Sequence, residues 1–217
     1  MDARSDEYVF ELVGGAVCLD FANTVSSYLA PAGQLVDHMT DYPSLLSWAH
    51  QAGLIDDATL ARLRRVAVRH AGEVGRVLER AHELRAAVYA AFASAARGKR
   101  APADALATLS GFHAGTSARQ RLVARTSAGT TAYELECSCE EDALDQMLWP
   151  VARSAIELLT SERHTRVRVC EAASQETCTW LFVDESKNHS RRWCSMRDCG
   201  NRAKVRRHYQ RKKRDAS

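Results

Sequence analysis

Four cysteines near the end of the chain limit what its last stretch can become. Cys170, Cys178, Cys194 and Cys199 fall as C-x7-C-x15-C-x4-C within the final 48 residues. A segment that short buries too little apolar surface to fold unaided. Two pairs of thiolates can close a tetrahedral Zn2+ site and supply the missing free energy. Such a site would be structural, because four thiolates leave no coordination position for water or substrate. The stretches Arg166–Cys170 and Trp180–Asp184 alternate like strands. Cys194 and Cys199 precede a helix, with Asn201 the expected cap. Knuckle, hairpin and helix in that order are treble-clef-like.

The charge is as segregated as the cysteines. From Lys187 to Arg214 there are twelve Lys/Arg and one acid, Asp198, a net of +11 in a chain whose total is +3. The remainder is therefore acidic. A basic end on an acidic body points to an anionic polymer as partner. Arg191, Arg192, Arg197, Arg202, Lys204, Arg206, Arg207, Arg211, Lys212, Lys213 and Arg214 are the candidate nucleic-acid contacts. Val205 and Tyr209, at i and i+4, form a narrow apolar stripe expected to pack on the finger. Aromatic residues for base stacking are few, Trp193 and Tyr209, so double-stranded DNA is the expected polymer in preference to RNA.

The run Arg191-Arg192-Trp193-Cys194-Ser195-Met196-Arg197-Asp198-Cys199-Gly200-Asn201-Arg202-Ala203-Lys204 resembles the signature of the CGNR zinc fingers. Trp180 to Ser186 is similar to the strand before that signature. Gly15-Ala16-Val17-Cys18-Leu19-Asp20-Phe21-Ala22-Asn23-Thr24-Val25 resembles the opening of the ABATE domain, this finger's usual companion. The resemblance implies a bacterial, stress-induced transcription regulator. The first cysteine spacing is longer than the family's usual one, which leaves His189 or His164 as the alternative to Cys170.

The body reads as mainly helical. Apolar residues at helical spacing follow Asp41-Tyr42-Pro43, Asp56-Asp57, Val74 and Pro102, with capping residues and Gly53 or Gly98 as stops. These stripes are core or a dimer interface. Tyr8 to Asp20 reads as a strand broken at Gly14-Gly15. Gln120–Thr126 and Thr131–Cys137 flank a turn as a β-hairpin. Ala143 to Leu159 is an amphipathic helix that Pro150 bends or shortens. The expected fold is α+β: a mainly helical body with a small hairpin over 1–160, then a treble-clef-like four-cysteine finger ending in a basic helix over 161–217.

Asp20, Asn23 and Thr24 read as turn or cap residues, or, with Arg85, as a polar cluster for a small effector. Cys137 and Cys139 share a strand face and read as buried small hydrophobes, with a redox or second metal role as the alternative. No Ser-His-Asp set, phosphate loop or dinucleotide glycine pattern is present, so the chain reads as a regulator and not an enzyme. The enzyme alternative would use the finger for docking. Odd cysteine number, the acidic N-terminus and the lack of an 18-residue apolar run fit a cytoplasmic protein without membrane spans.

Overall fold

A computed structural model describes residues 8–26, 34–127, 129–137, 142–172 and 178–215. Seven helices and three two-stranded antiparallel ribbons occur among them. The order is α1 (Val17–Ala22), β1 (Val25–Ser26), β2 (Val36–Asp37), α2 (Tyr42–Gln51), α3 (Asp57–Arg69), α4 (Ala71–Ala95) and α5 (Ala103–Ser117). The ribbon β3 (Gln120–Ser127) and β4 (Thr130–Cys137) follows, then α6 (Leu148–Thr160). A 3-10 turn, Glu162–Arg166, leads to β5 (Val167–Val169), β6 (Leu181–Val183) and α7 (Asn201–Asp215).

Local chemistry sets most boundaries. Asp41 caps α2 by accepting from Ser44 N at 2.8 Å, and the Ser44 hydroxyl oxygen accepts in turn from Asp41 N at 3.1 Å. That reciprocal box is the strongest start signal in the body. Gly53, at φ +70°, takes the left-handed conformation just past the end of α2. Asp56 caps α3 on Thr59 N. Pro150 falls in the first turn of α6, where a proline is tolerated, so the helix begins at Leu148 and residues 144–147 are turn.

Val17 to Asp20 are helical, which corrects the expected strand. In Val17-Cys18-Leu19-Asp20-Phe21-Ala22 the residues Cys18, Leu19, Phe21 and Ala22 are all buried. A helix apolar nearly all round has no period for a sequence to show. Gly14 lies against it. A Cβ there would meet the Leu19 Cβ at 2.8 Å, so only glycine allows the approach.

The core is built from the inward faces of α1, α2, α3, α4, α5 and α6, with Leu19, Phe21, Trp48, Leu63, Leu84, Phe92, Leu109 and Val151 fully buried. The helical stripes between residues 56 and 96 are thus core, with Leu63, Val66, Ala81, Leu84, Val88 and Phe92 turned inward. Val167, Leu181 and Val183 belong to the same cluster. The division at 160/161 coincides with the end of α6 at Thr160, yet apolar packing runs across it.

Strand β6 explains why. Its three residues are all buried. Leu181 and Val183 point into the helical core, while Trp180 and Phe182 join Cys170, Cys178, Cys194 and Cys199 in a second cluster. The period-2 alternation of a strand gives one face to each cluster. Asn23 fixes the strand in place. Its side-chain amide donates to Leu181 O at 2.9 Å and its Oδ1 accepts from Leu181 N at 2.8 Å. Val183 N donates to Gly14 O at 2.8 Å, and the Trp180 indole N–H to Val25 O at 3.3 Å.

Asn23→Ala is expected to leave both Leu181 groups buried and unpaired, costing about 2–6 kcal/mol from roughly 1–3 kcal/mol per stranded group. Denaturant unfolding of the full chain measures it. A loss below about 1 kcal/mol would mean that water replaces the amide.

Candidate metal centre and nucleic-acid interface

Cys170 follows β5 directly, Cys178 precedes β6, and Cys194 and Cys199 bracket the turn into α7. Their four Sγ atoms lie within 4.8 Å of one another, all buried. Cys178–Cys194 and Cys194–Cys199 are each 3.6 Å apart. Tetrahedral Zn–S bonds of about 2.3 Å place sulfurs about 3.8 Å apart. The donor set and its spacing fit such a metal ion. A first thiol is easily deprotonated there: hydrogen bonds from Cys178, then Cys194 and Cys199, hold Cys170 well below the ordinary thiol range. Cys170 thus sits in the cluster with the other three cysteines, and His189 and His164 are not part of that group. His189 Nδ1 faces Asp184 O and His164 Nδ1 faces Ser161 O.

The loop between β6 and Cys194 is organised by Asp184, which is fully buried. Its carboxylate accepts from Ser186 N, the Ser186 hydroxyl and Arg191 N. Burial pushes its carboxyl up, but these hydrogen bonds prevail and hold it below the usual range. The turn after Cys194 is capped by Ser195, whose Oγ accepts from Asp198 N at 3.3 Å. Helical structure therefore begins at Met196, ahead of Asn201. Asn201 donates its side-chain amide to Arg197 O within the helical run and is not the cap.

The basic residues divide by direction. The Arg191 guanidinium turns inward, donating to Trp193 O, Val13 O and Cys194 O over the Phe182 ring, 4.3 Å from its centroid. Arg202 donates to Cys199 Sγ at 3.2 Å, placing a positive charge on the thiolate cluster. Arg206 is half-buried in a cleft with Trp193, Ala203 and Gln210. Arg192 pairs with Glu171 and lies over Trp193. Arg197 is 83% exposed beside Glu11 and Asp198. Lys204, Arg207, Arg211 and Lys212 are exposed on α7. Lys213 and Arg214 continue the helix, but their side chains lie outside the described residues.

Val205 and Tyr209 are exposed, 56% and 67%, so the expected apolar stripe does not pack on the finger. Arg202, Ala203 and Arg206 face it instead. The stem of a long cationic side chain can cover apolar surface, and here it displaces the apolar stripe of Val205 and Tyr209 that periodicity favours.

The polar cluster in the body is partly brought together. Thr24 Oγ1 accepts from Arg85 at 3.1 Å and donates to Phe21 O. Arg85 also clamps Asp37 through both terminal nitrogens. Burial raises the Asp37 carboxyl, but the Arg85 hydrogen bonds outweigh it and leave it below the usual range. Asp37 is the partner that sequence reasoning missed; 48 residues separate it from Arg85, and no spacing rule links them. Asn23 is committed to Leu181, and Asp20 accepts from Gly14 N at 2.7 Å. A mostly apolar cleft of about 420 Å³ adjoins Arg85, lined also by Val25, Leu35, His82, Tyr89 and, from the finger, Thr179. Cys18 is sealed in the core, and burial pushes its thiol up to about 12. Ser138 and Cys139, and the side chain of Cys137, lie outside the described residues.

Burial raises the Asp20 carboxyl to about 6, against hydrogen bonds from Gly14 and Val13 that lower it. The folded state then holds a proton that the unfolded state, near 3.8, has released. Asp20's contribution is therefore full below about 4 and is lost as pH rises through about 6. Asp20→Asn keeps the acceptor for Gly14 and removes the buried charge. Thermal unfolding between about pH 4 and 7 is expected to lose part of its downward slope in that variant. An unchanged slope would exclude Asp20 as its source.

Two family models match the chain. One, ABATE, described as "Putative stress-induced transcription regulator", covers residues 15–162. The other, the CGNR zinc finger, covers residues 166–212. Neither describes an enzyme. A comparison with curated proteins finds no match. Among the described residues no helix is long and apolar enough to cross a membrane. The ABATE match spans well over half of the 217 residues, and the four clustered cysteines all fall within the residues that the finger model matches; the chain belongs to the ABATE family and carries a CGNR zinc finger.

Proposed function

We propose that the chain is a transcription regulator that binds double-stranded DNA through a Zn2+-stabilised finger. The observation that carries this reading is the outward face of α7. Lys204, Arg207 and Arg211, at i, i+3 and i+7, share one side of the helix with Lys212 beside them. No acid lies between Cys199 and Arg214. Phosphate neutralisation with counterion release is the interaction such a face favours. Zn2+ would be held by Cys170, Cys178, Cys194 and Cys199 and would fix the start of α7. Arg191 and Arg202 would act by shaping the finger, not by touching DNA. Arg192, Arg197 and Arg206 would flank the contact, with Lys213 and Arg214 extending it.

The body is the regulatory part in this reading. A small effector would enter the cleft beside Arg85, where the guanidinium is already neutralised by Asp37, so an uncharged ligand fits better than an anion. Thr24, through Arg85, and Asn23, through Leu181, would set the distance of that cleft from the finger, and Asp20 would support them through Gly14. The chain would work in the cytoplasm. The test is capture of duplex genomic fragments by the full, metal-loaded chain at low salt, followed by sequencing. No retention, or equal retention after Lys204, Arg207, Arg211 and Lys212 are changed to Gln, would overturn the assignment.

A further inference from the structure

We propose that the cleft between α7 and the loops carrying Cys170 and Cys194 is a discrete phosphate pocket, and that Glu171 sets how tightly it holds the anion. The cleft has a volume of about 310 Å³. Glu171, Arg192 and Trp193 line one wall, and Arg206, Arg207 and Gln210 line the other. On α7 these three share one face, because 206 and 210 are at i and i+4 and 207 lies beside them. The two walls bring three guanidinium groups against one carboxylate. The cleft is therefore cationic before any ligand enters.

The donors select the occupant. The Trp193 indole N–H, the Gln210 amide and the Arg207 guanidinium meet no acceptor among the described residues. They stand on both walls, so a ligand that satisfies them must carry acceptors in several directions. The tetrahedral oxygens of a phosphate do this; the two coplanar oxygens of a carboxylate do not. The guanidinium fork also matches two phosphate oxygens at once. The volume lies at the lower end of small-molecule sites, about 300 Å³, and leaves room for the group to which the phosphate is attached.

Glu171 opposes that anion. Its carboxylate pairs with Arg192, and its N–H donates to Arg192 O at 2.9 Å. The Arg192 guanidinium lies 4.9 Å from the centroid of the Trp193 ring. Glu171 thus holds Arg192 on Trp193 and cancels its charge. A phosphate entering the cleft meets the attraction of Arg206 and Arg207 and the repulsion of Glu171. This pocket rests on the reading of the finger as the anion-binding head, yet it can be probed without DNA.

Isothermal titration of the full, metal-loaded chain with inorganic phosphate at low ionic strength should show one site per chain. Trp193→Phe keeps a ring and removes one donor to a charged group, so it should weaken the site about tenfold. Glu171→Gln should tighten it about fivefold by removing a like charge. A Glu171 that only braced Arg192 would give the opposite sign. Lys204→Gln and Arg211→Gln lie on α7 outside the cleft and should leave the titration unchanged. Metal content and circular dichroism check that each variant is folded. No phosphate uptake, or weaker uptake by Glu171→Gln, would overturn the pocket. So would equal losses in Lys204→Gln, Arg211→Gln and Trp193→Phe, which mark diffuse attraction to the helix.

Two further arms identify where the phosphate comes from. A short duplex that displaces inorganic phosphate, with adenosine monophosphate binding no tighter than phosphate itself, assigns the cleft to a strand phosphate. Adenosine monophosphate bound at least about tenfold tighter than phosphate, and not displaced by the duplex, assigns it to a free nucleotide. A chain that retains duplex but takes up no phosphate sinks the pocket alone. A chain that holds phosphate in the cleft but retains no duplex sinks the DNA reading alone.

Discussion

Chelating the metal, or replacing Cys194 with Ser, is expected to lower the thermal transition of the whole chain, not of the finger alone. Zn2+ supplies about 10–16 kcal/mol of apparent folding free energy in isolated fingers, comparable with the about 5–15 kcal/mol that holds a whole domain together. Trp180 and Phe182 pack in the cysteine cluster while Leu181 and Val183 pack in the helical core. If the cluster opens, β6 loses one face and Asn23 loses its target. Leu181 and Val183 would each give up about 1.5–3 kcal/mol of burial. At about 2–4 °C per kcal/mol for a chain of this size, the body should melt on the order of 10 °C lower. Calorimetry of the metal-loaded and stripped chain decides it. A stripped chain whose main transition keeps the loaded temperature would show that the two clusters are independent. Cys170→Ser separates the ligands further: if it binds metal as tightly as the unaltered chain, Cys170 is not one of them.

That coupling also shows what could be read from the sequence. The elements that carry their own start and stop chemistry were legible, as Asp41 with Ser44, Asp56 and Gly53 show. So was the β3–β4 ribbon, within a residue of its expected bounds. The cysteine cluster was legible because metal ligation demands particular residue types at short separations. α1 was not, since a helix buried on nearly every side shows no period. Nor was the double burial of β6. Trp180-Leu181-Phe182-Val183 is an apolar run, and an apolar run does not say which cluster each side chain enters. The pairing of Arg85 with Asp37 and of Asn23 with Leu181 joins residues 48 and 158 positions apart. Such contacts follow from topology, which no local pattern encodes. On α7 and in the loop before Cys194 the sequence placed the charge, but only packing could sort the inward Arg191, Arg202 and Arg206 from the outward Lys204, Arg207, Arg211 and Lys212.

That sorting gives the second large expected effect. Changing Lys204, Arg207, Arg211 and Lys212 to Gln should reduce the slope of log affinity against log salt by roughly 3–4, at about 0.9 for each phosphate left without its cation. At about 0.15 M salt this amounts to roughly three orders of magnitude in affinity. Arg191→Gln should behave differently. Its guanidinium spans Phe182, Trp193, Val13 and Cys194, so its removal should cost stability and weaken metal retention while leaving the slope of the folded fraction unchanged. The two results together separate charge that meets DNA from charge that builds the finger. Fluorescence anisotropy on one duplex at graded salt measures both. An equal fall in slope for Arg191→Gln alone and for each outward residue alone would mean that the inward arginine also reaches phosphate. An unchanged slope in the fourfold variant would move the DNA-facing surface off α7, to Arg192 and Arg197 beside the cluster. The cationic helix would then need another explanation for its lack of acids, because like charges at i, i+3 and i+4 destabilise a helix and an anionic partner offsets that cost.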